Sequence, residues 1–208
     1  MNAIAQGYAF AGAPQSLPAP DLAGRECVHH CQRELFDASE RRAILAVADG
    51  TRWQDAGAPP YSEPHADYRR AQIQWLHPAQ LPWMFERLAI ALTAINQRHF
   101  GFDLWGFCDP LQLSRYQAGS GQHDWHTDRG TWASGRAPRK LSMVLQLSDP
   151  DTYSGGDLEL QAGREPLCAD RSAGCLHVFP TFVVHRVSPV TAGVRHSLVG
   201  WVCGPRFR

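Results

Sequence analysis

The sequence predicts a fold of the α+β class that is mainly β, a β-sandwich or jelly roll buttressed by N-terminal helices. Helical patterns are confined to the first half of the chain, whereas short strand patterns separated by Gly- and Pro-containing turns fill the second half. Helices and antiparallel strands that are segregated in this way usually pack as separate layers. The chain has 208 residues, a length typical of one domain.

Two segments are predicted to be helical. Residues 37–49 can be capped by Asp37 or Ser39 and are followed by Gly50. Residues 81–99 have a proline in the first turn and end before Gly101. Apolar residues recur at three- and four-residue spacing along this longer helix, namely Phe85, Leu88, Leu92 and Ile95. The segment between the helices begins with a Gly- and Pro-rich stretch, residues 50–64, which predicts a loop.

The strand patterns lie mostly after residue 105. The predicted strands are residues 27–33, 69–76, 111–116, 122–127, 140–148, 157–161, 175–179, 182–187 and 194–203. In residues 140–148, Leu141, Met143, Leu145 and Leu147 share one face, and Gln146 lies on the other. We expect the leucine face to pack on the helices and Gln146 to point into the barrel.

The domain organisation follows from these patterns. Residues 1–24 are rich in Ala, Gly and Pro without periodicity, so we expect a loosely ordered leader. Residues 25–208 are predicted to form a single domain, with helical support over residues 37–100 and the jelly-roll core over residues 105–205.

Composition excludes several classes of function. Lys plus Arg and Asp plus Glu each number 20, so a neutral chain offers no electrostatic surface for nucleic acid or an anionic membrane. No apolar run is long enough to cross a bilayer, and the N-terminus lacks the pattern of a secretory signal. The six cysteines form no CxxC pair, and their scatter resembles neither a disulfide framework nor a zinc ribbon. We therefore expect a reduced, cytoplasmic protein, and the sequence does not specify its oligomeric state.

The triplet His126-Thr127-Asp128 lies on a predicted strand. Residues i and i+2 of a strand point to the same face, so His126 and Asp128 can bind one metal ion. An HxD triplet is by itself a weak signal, and a solvated pair on a strand face is the alternative.

A second histidine and an arginine strengthen the metal hypothesis. His185 lies in an apolar strand, where an imidazole needs a partner. If the chain forms a hairpin centred near Val190, Arg195 returns almost opposite His185. A guanidinium among aliphatic residues needs an anion, and a carboxylate accepts two parallel hydrogen bonds from it. A core histidine bonded to the backbone and a structural ion pair are the alternatives.

Two histidines and one carboxylate form the facial triad of non-haem Fe(II) oxygenases, whose open positions receive a co-substrate and O2. A catalytic zinc with the same ligands is the alternative. The arginine ten residues after the second histidine favours iron with 2-oxoglutarate, because a zinc hydrolase has no need of it.

The stretch from Leu111 to Pro205 resembles the 2-oxoglutarate- and Fe(II)-dependent dioxygenases of the prolyl/lysyl-hydroxylase-like (PKHD-type) branch. The matching segments are LQLSRYQAGSGQHDWHTDRG, RKLSMVLQLSDPDTYSGGDLEL and GCLHVFPTFVVHRVSPVTAGVRHSLVGWVCGP. The resemblance covers nearly half of the chain. It implies a double-stranded β-helix, the cupin-like jelly roll, with the long helix ahead of the barrel.

The resemblance also implies roles for individual residues. His126, Asp128 and His185 match the iron ligands, and the remaining positions match the binding site for 2-oxoglutarate, namely Arg195, Tyr116, Ser197 and Leu158. A carboxylate at Asp128 is typical of hydroxylases, since related halogenases have a small residue there. Some prolyl hydroxylases have a second tyrosine near Gln146, and its absence weakens the assignment of proline as the target.

The predicted function is hydroxylation of an aliphatic C–H bond of an amino acid, free or in a peptide or protein, with release of succinate and CO2. Fe(II) is the cofactor, 2-oxoglutarate and O2 are co-substrates, and ascorbate is a candidate reductant. The loop after the HxD triplet contains Arg129 and Trp132, which could contact an acidic or carboxylate-bearing substrate. The alternatives are desaturation, cyclisation or demethylation of a small metabolite at the same iron site, a non-catalytic jelly-roll binding domain, and a zinc enzyme.

Overall fold

The computed structural model describes residues 27–49, 52–56, 68–119, 121–129 and 137–206. The predicted leader, residues 1–24, lies outside the described residues, as does most of the predicted loop 50–64. Within the part of that loop that is described, Gln54–Asp55 pairs with a neighbouring strand, so the loop prediction is wrong at these two residues.

Both predicted helices are present. Helix α1 is Ala38–Asp49, and the Asp37 carboxylate accepts hydrogen bonds from the backbone N–H groups of Ser39 and Glu40 at its start. Helix α2 is Pro82–Ile95 and continues as a π-helical turn, Asn96–Phe100. Gly101 then adopts a left-handed conformation with φ of 67°, which a glycine adopts at little steric cost. Neither helix combines the length and apolar character needed to span a bilayer.

The strands form two antiparallel sheets. The strand bounds are β1 His30–Gln32, β2 Gln54–Asp55, β3 Arg69–Arg70, β4 Gln72–Leu76, β5 Gly106–Phe107, β6 Leu111–Gln117, β7 Gln122–His126, β8 Arg139–Gln146, β9 Tyr153–Gly155, β10 Leu158–Leu160, β11 Leu167–Cys168, β12 Leu176–Pro180, β13 His185–Val187 and β14 Val190–Cys203. The larger sheet has the order β1-β12-β8-β14-β6-β4-β2, with β5 and β9 also paired to β14, and the smaller has the order β11-β10-β13-β7-β3. Two facing sheets with helices on one side agree with the predicted mainly β jelly roll.

The main hydrophobic core lies between the larger sheet and the two helices. It contains Ile44 of α1, Leu88 of α2 and the leucine face of the β8 segment, namely Leu141, Met143, Leu145 and Leu147. The opposite face of β8 turns toward the smaller sheet, and Val144 packs there in a second apolar cluster. The predicted orientation of this segment is therefore confirmed. One face of β8 belongs to the apolar core beneath the helices, and the other face carries polar side chains such as Gln146.

The predicted hairpin between His185 and Arg195 is wrong. His185 lies in β13 of the smaller sheet, where its neighbours are β7 and β10, whereas Arg195 lies in β14 between β6 and β8 of the larger sheet. The chain crosses from one sheet to the other between Val187 and Val190. The two side chains consequently face each other across the sandwich and are not strand neighbours.

The expectation of unpaired cysteines is also contradicted. The structure contains the disulfides Cys31–Cys175 and Cys108–Cys203, with Cα–Cα distances of 6.5 and 5.4 Å. The paired residues are 144 and 95 positions apart in the sequence, so their proximity depends on strand pairing that local spacing does not reveal. Cys27 and Cys168 are free.

Candidate metal centre and adjoining cavity

His126, Asp128 and His185 converge at the open side of the smaller sheet. His126 ends β7 and lies directly opposite His185 of β13, and Asp128 follows two residues after His126 on the same face. The Nε2 atoms of the two histidines are 3.6 and 3.5 Å from the Asp128 carboxylate oxygens. Metal bonds of roughly 2.0–2.2 Å at right angles would place ligand atoms about 3 Å apart. The three side chains therefore fit a single metal ion with only small movements.

Backbone carbonyls orient both imidazoles for this purpose. The Nδ1 atom of His126 is 2.7 Å from the carbonyl oxygen of Asp124, and that of His185 is 3.0 Å from the carbonyl oxygen of Val183. With the proton on Nδ1 donated to a carbonyl, the lone pair of Nε2 points toward Asp128. This pattern is typical of metal-binding histidines.

The electrostatics of the cluster favour the protonation states that metal ligands need. Burial and the neighbouring His185 lower the pKa of His126 to about 4, so its imidazole is neutral near pH 7. Burial alone would raise the pKa of Asp128, but His185, His126 and the Ser142 hydroxyl hold that pKa below its usual range. The Ser142 hydroxyl donates a hydrogen bond of 2.7 Å to Asp128 Oδ2. A neutral His126 imidazole and an ionised Asp128 carboxylate result.

A cavity of about 690 Å³ adjoins this cluster. The residues predicted for the co-substrate line the same cavity as the three candidate metal ligands, namely Tyr116, Leu158, Arg195 and Ser197. Of these, Leu158 supplies an apolar wall from the smaller sheet, and the other three come from β6 and β14. The structure thus brings together residues from distant parts of the sequence.

Arg195 is fully buried, and its partners satisfy only part of its guanidinium. Its Nη2 group donates to Gln146 Oε1 at 2.9 Å, and its Nη1 group donates to Ser197 Oγ at 3.4 Å. The Nε atom has no hydrogen-bond partner among the described residues. Ser197 accepts a hydrogen bond from Arg195 here, which identifies it as a residue that positions the guanidinium. A buried cation with an unused donor and no carboxylate partner among the described residues is well suited to bind an anion.

Three residues of the site were not identified from the sequence. Ser142 bonds to Asp128, Gln146 bonds to Arg195, and Arg69 of β3 lines the cavity with its Nε atom buried and without a hydrogen-bond partner in the described part of the chain. The alternation of β8 placed Ser142 and Gln146 on the inner face, but their partners lie on other strands. Of the two predicted substrate contacts, Arg129 is exposed after Asp128, and Trp132 lies outside the described residues.

Comparisons with known proteins identify relatives of the chain. A family model described as the 2OG-Fe(II) oxygenase superfamily matches residues 111–203. A PKHD-type hydroxylase of Pseudomonas putida (strain W619) is 30% identical over 177 residues, covering 80% of this chain and 74% of the relative. A PKHD-type hydroxylase of Synechococcus sp. (strain CC9311) is 37% identical over 101 residues, covering 47% of this chain and 45% of that protein. The latter match therefore spans less than half of the relative's length.

Solved structures show the same fold. A Pseudomonas putida prolyl-4-hydroxylase has a TM-score of 0.68 and 25% identity, covering 86% of this chain and 94% of that one. A Trichoplax adhaerens prolyl hydroxylase, solved with a peptide fragment of a hypoxia-inducible-factor degradation domain, has a TM-score of 0.69, covering 85% of this chain and 83% of that one. Its identity of 14% supports the fold alone.

Proposed function

The chain belongs to the 2OG-Fe(II) oxygenase superfamily, in its PKHD-type branch, and from this we propose that it is an Fe(II)- and 2-oxoglutarate-dependent hydroxylase. The proposed reaction inserts one oxygen atom into an aliphatic C–H bond and converts 2-oxoglutarate to succinate and CO2. The proposed iron ligands are His126, Asp128 and His185. When bound, the iron supplies the oxidative chemistry with O2, which protein side chains cannot perform.

One observation carries the proposal: the buried Arg195 guanidinium opens into the same cavity as the two imidazoles and the carboxylate. A metal centre alone would fit a hydrolase as well as an oxygenase. A dicarboxylate co-substrate explains why the metal-ligand cluster and the buried guanidinium share one cavity, because one end can bind the metal while the far carboxylate pairs with Arg195. Tyr116 would contact the same carboxylate from the neighbouring strand, and Leu158 would pack against the co-substrate's methylene groups.

The chain's own residues would position the reactants. The backbone carbonyls behind His126 and His185 hold the imidazoles, and the Ser142 hydroxyl holds one oxygen of Asp128. Gln146 and Ser197 hold the guanidinium, so that little side-chain freedom is lost when the co-substrate binds. Apolar side chains in the cavity wall, among them Leu158 and Val187, would shield one side of the reacting carbon from water.

The proposed substrate is an amino acid, free or within a peptide. Prolyl hydroxylases among the structural relatives support this class, and the positively charged Arg69 in the cavity favours a substrate with a carboxylate or another acidic group. Ascorbate is proposed as a reductant that keeps the iron as Fe(II). We also propose a cytoplasmic location.

A substrate panel tests the proposal. The chain is incubated with Fe(II), 2-oxoglutarate, O2 and ascorbate, together with amino acids, peptides and small metabolites, and succinate and product mass are measured. We expect one panel member to stimulate succinate formation and to gain the mass of one oxygen atom. Desaturation would instead remove two hydrogens, and demethylation would release formaldehyde. A metal-loaded chain that forms no succinate with any substrate class would contradict the oxygenase assignment.

A further inference from the structure

A second cluster of metal-ligand side chains lies away from the candidate iron centre, where the edge strand β1 pairs with β12. Cys31 lies directly opposite His177 in this antiparallel pair. His29 and Cys175 lie one residue before β1 and β12, respectively. The Cys31–Cys175 disulfide and the contact between His29 and His177 bring the four side chains together. The sequence thus contains an HxC and a CxH pair that face each other across two strands.

The distances show how close these side chains are. The two sulfur atoms and a ring nitrogen of His177 lie within 4.8 Å of one another. His29 Nε2 is 2.9 Å from His177 Nδ1, which brings a second imidazole to the group. Cys175 and His177 are fully buried, whereas His29 and Cys31 are half-buried at the sheet edge. The cluster is therefore held by a rigid interior strand and is open to an ion from the side of β1.

The hydrogen bonds of His177 prepare it as a ligand. Its Nε2 atom is 2.8 Å from the carbonyl oxygen of Asp170, so the proton on Nε2 is donated to that carbonyl and the Nδ1 lone pair faces His29. A carbonyl that accepts the other ring proton fixes the tautomer of metal-binding histidines. A disulfide that serves only as a cross-link does not need the imidazoles of His29 and His177 beside it.

We infer that His29, Cys31, Cys175 and His177 form a second metal site, which binds zinc when the Cys31–Cys175 disulfide is reduced. Zinc prefers a tetrahedral set of two sulfurs and two nitrogens. Bonds of about 2.3 Å to sulfur and about 2.0–2.1 Å to nitrogen place the ligand atoms about 3.3–3.8 Å apart. The ligand atoms of Cys31, Cys175 and His177 already lie within 4.8 Å of one another, and His29 contacts His177. Separation of the two sulfurs and a turn of the His29 side chain toward them would therefore convert the cluster into such a site.

The chemistry balances with a dithiol reductant. The reductant supplies two electrons and two protons, which convert the disulfide into two thiols while the reductant becomes a cyclic disulfide. Zinc then replaces the two thiol protons, which are released to solvent, and the neutral imidazoles bind without proton loss. In a reducing compartment, zinc would thus hold β1 against β12 in place of the disulfide.

The site would also support the proposed co-substrate pocket. The backbone N–H of Gln146 donates to the carbonyl oxygen of Cys175 at 3.0 Å, and the Gln146 side chain accepts from Arg195 at 2.9 Å. A metal bound to Cys175 would therefore fix the backbone position of Gln146, which is the hydrogen-bond partner of Arg195. The zinc proposal itself does not depend on this effect or on the oxygenase activity.

Cobalt substitution tests the proposal directly. The full chain is treated with a dithiol reductant and a chelator, its free thiols are counted, and Co(II) is added without oxygen. We expect an intense thiolate-to-cobalt charge-transfer band with the visible bands of tetrahedral cobalt, and their loss when one equivalent of Zn(II) is added. The proposed iron site contains no sulfur, so His185→Ala should retain these bands even if the function proposed above fails.

Variants identify the ligands. Cys31→Ser should lower the zinc affinity more than about 100-fold, since losing an outer-sphere partner alone costs roughly 10- to 100-fold. His29→Gln, at a half-buried position, should weaken binding without disturbing the core, and Cys168→Ser removes an exposed free cysteine as the matched control. Absence of the charge-transfer band in the fully reduced wild-type chain would overturn the proposal. Equal zinc binding by Cys31→Ser and the wild type would overturn it as well.

Discussion

Tyr116 of β6 lies directly opposite Arg195 of β14, with its ring centre 5.4 Å from the guanidinium carbon. Both side chains are buried and line the cavity that contains the candidate iron ligands. The pairing brings a hydroxyl-bearing ring and a cation to one end of the cavity, and the metal cluster lies on the opposing sheet. A dicarboxylate could therefore bridge the two sheets.

Substitutions of this pair should affect the use of 2-oxoglutarate. Arg195→Ala leaves the far carboxylate buried without its partner, which costs about 2–5 kcal/mol, or roughly 30- to several thousand-fold in affinity. Arg195→Lys keeps the positive charge but loses the planar guanidinium that donates two parallel hydrogen bonds, so we expect a smaller loss of affinity for 2-oxoglutarate. Tyr116→Phe removes one hydrogen bond to a charged group, worth about 1.5–3 kcal/mol. The measurement is the apparent Michaelis constant for 2-oxoglutarate, with iron content as the control. Loss of iron with an unchanged Michaelis constant would instead make Arg195 a structural residue.

Replacement of a proposed ligand should remove the metal. His185→Ala should abolish both iron retention and turnover, because the remaining two side chains hold an ion weakly. His185 is a cleaner choice than His126, whose ring stacks on His123 at 3.6 Å and has a neighbouring imidazole that could substitute for it. Iron content after dialysis and succinate formation are measured, with the half-buried His99→Ala as the control. Full activity of His185→Ala would refute the proposed triad.

Replacement of Arg69 should raise the Michaelis constant for the primary substrate and leave that for 2-oxoglutarate unchanged. It lies in β3 on the smaller sheet, near the metal cluster, whereas Arg195 lies on the larger sheet. Arg69→Gln removes a charged hydrogen bond to an acidic group, worth about 1.5–3 kcal/mol, and should raise the Michaelis constant for an acidic substrate roughly 10- to 100-fold. Arg70→Gln, at the exposed neighbouring position, is the matched control. An equal change in the Michaelis constant for the co-substrate would show that Arg69 acts on 2-oxoglutarate.

Gly156 should be intolerant of a side chain. Its φ is +66°, and a Cβ there would lie 2.8 Å from Val190 Cγ2 and 3.0 Å from Arg195 Cδ. Gly156→Ala should lower the free energy of unfolding by about 1–2 kcal/mol from backbone strain and raise the Michaelis constant for 2-oxoglutarate by displacing Arg195. Gly163→Ala, where a Cβ meets no atom within 4 Å and φ is not in the left-handed region, is the control. Denaturant unfolding and kinetics together check both effects, and wild-type values for Gly156→Ala would contradict the predicted contact.

Helices and strands could be predicted from the sequence where the interactions that form them involve residues close together in the chain. The Asp37 cap, the apolar spacing of α2 and the alternation of β8 depend on residues close in sequence, and the structure confirms all three. The predicted strand over residues 182–187 is shorter in the structure, beginning at His185. Apolar residues alone did not distinguish the turn before His185 from the strand itself.

By itself the sequence determined the fold class, the HxD spacing and the candidate ligand residues, because strand alternation and turn residues act over a few positions. Only the tertiary structure decided that His185 and Arg195 occupy opposite sheets and that Cys31 pairs with Cys175. It also decided that Gln146 binds Arg195 and that Ser142 binds Asp128. These contacts join strands that are distant along the chain. Their register is set by burial of the whole sheet face, and no local pattern specifies it.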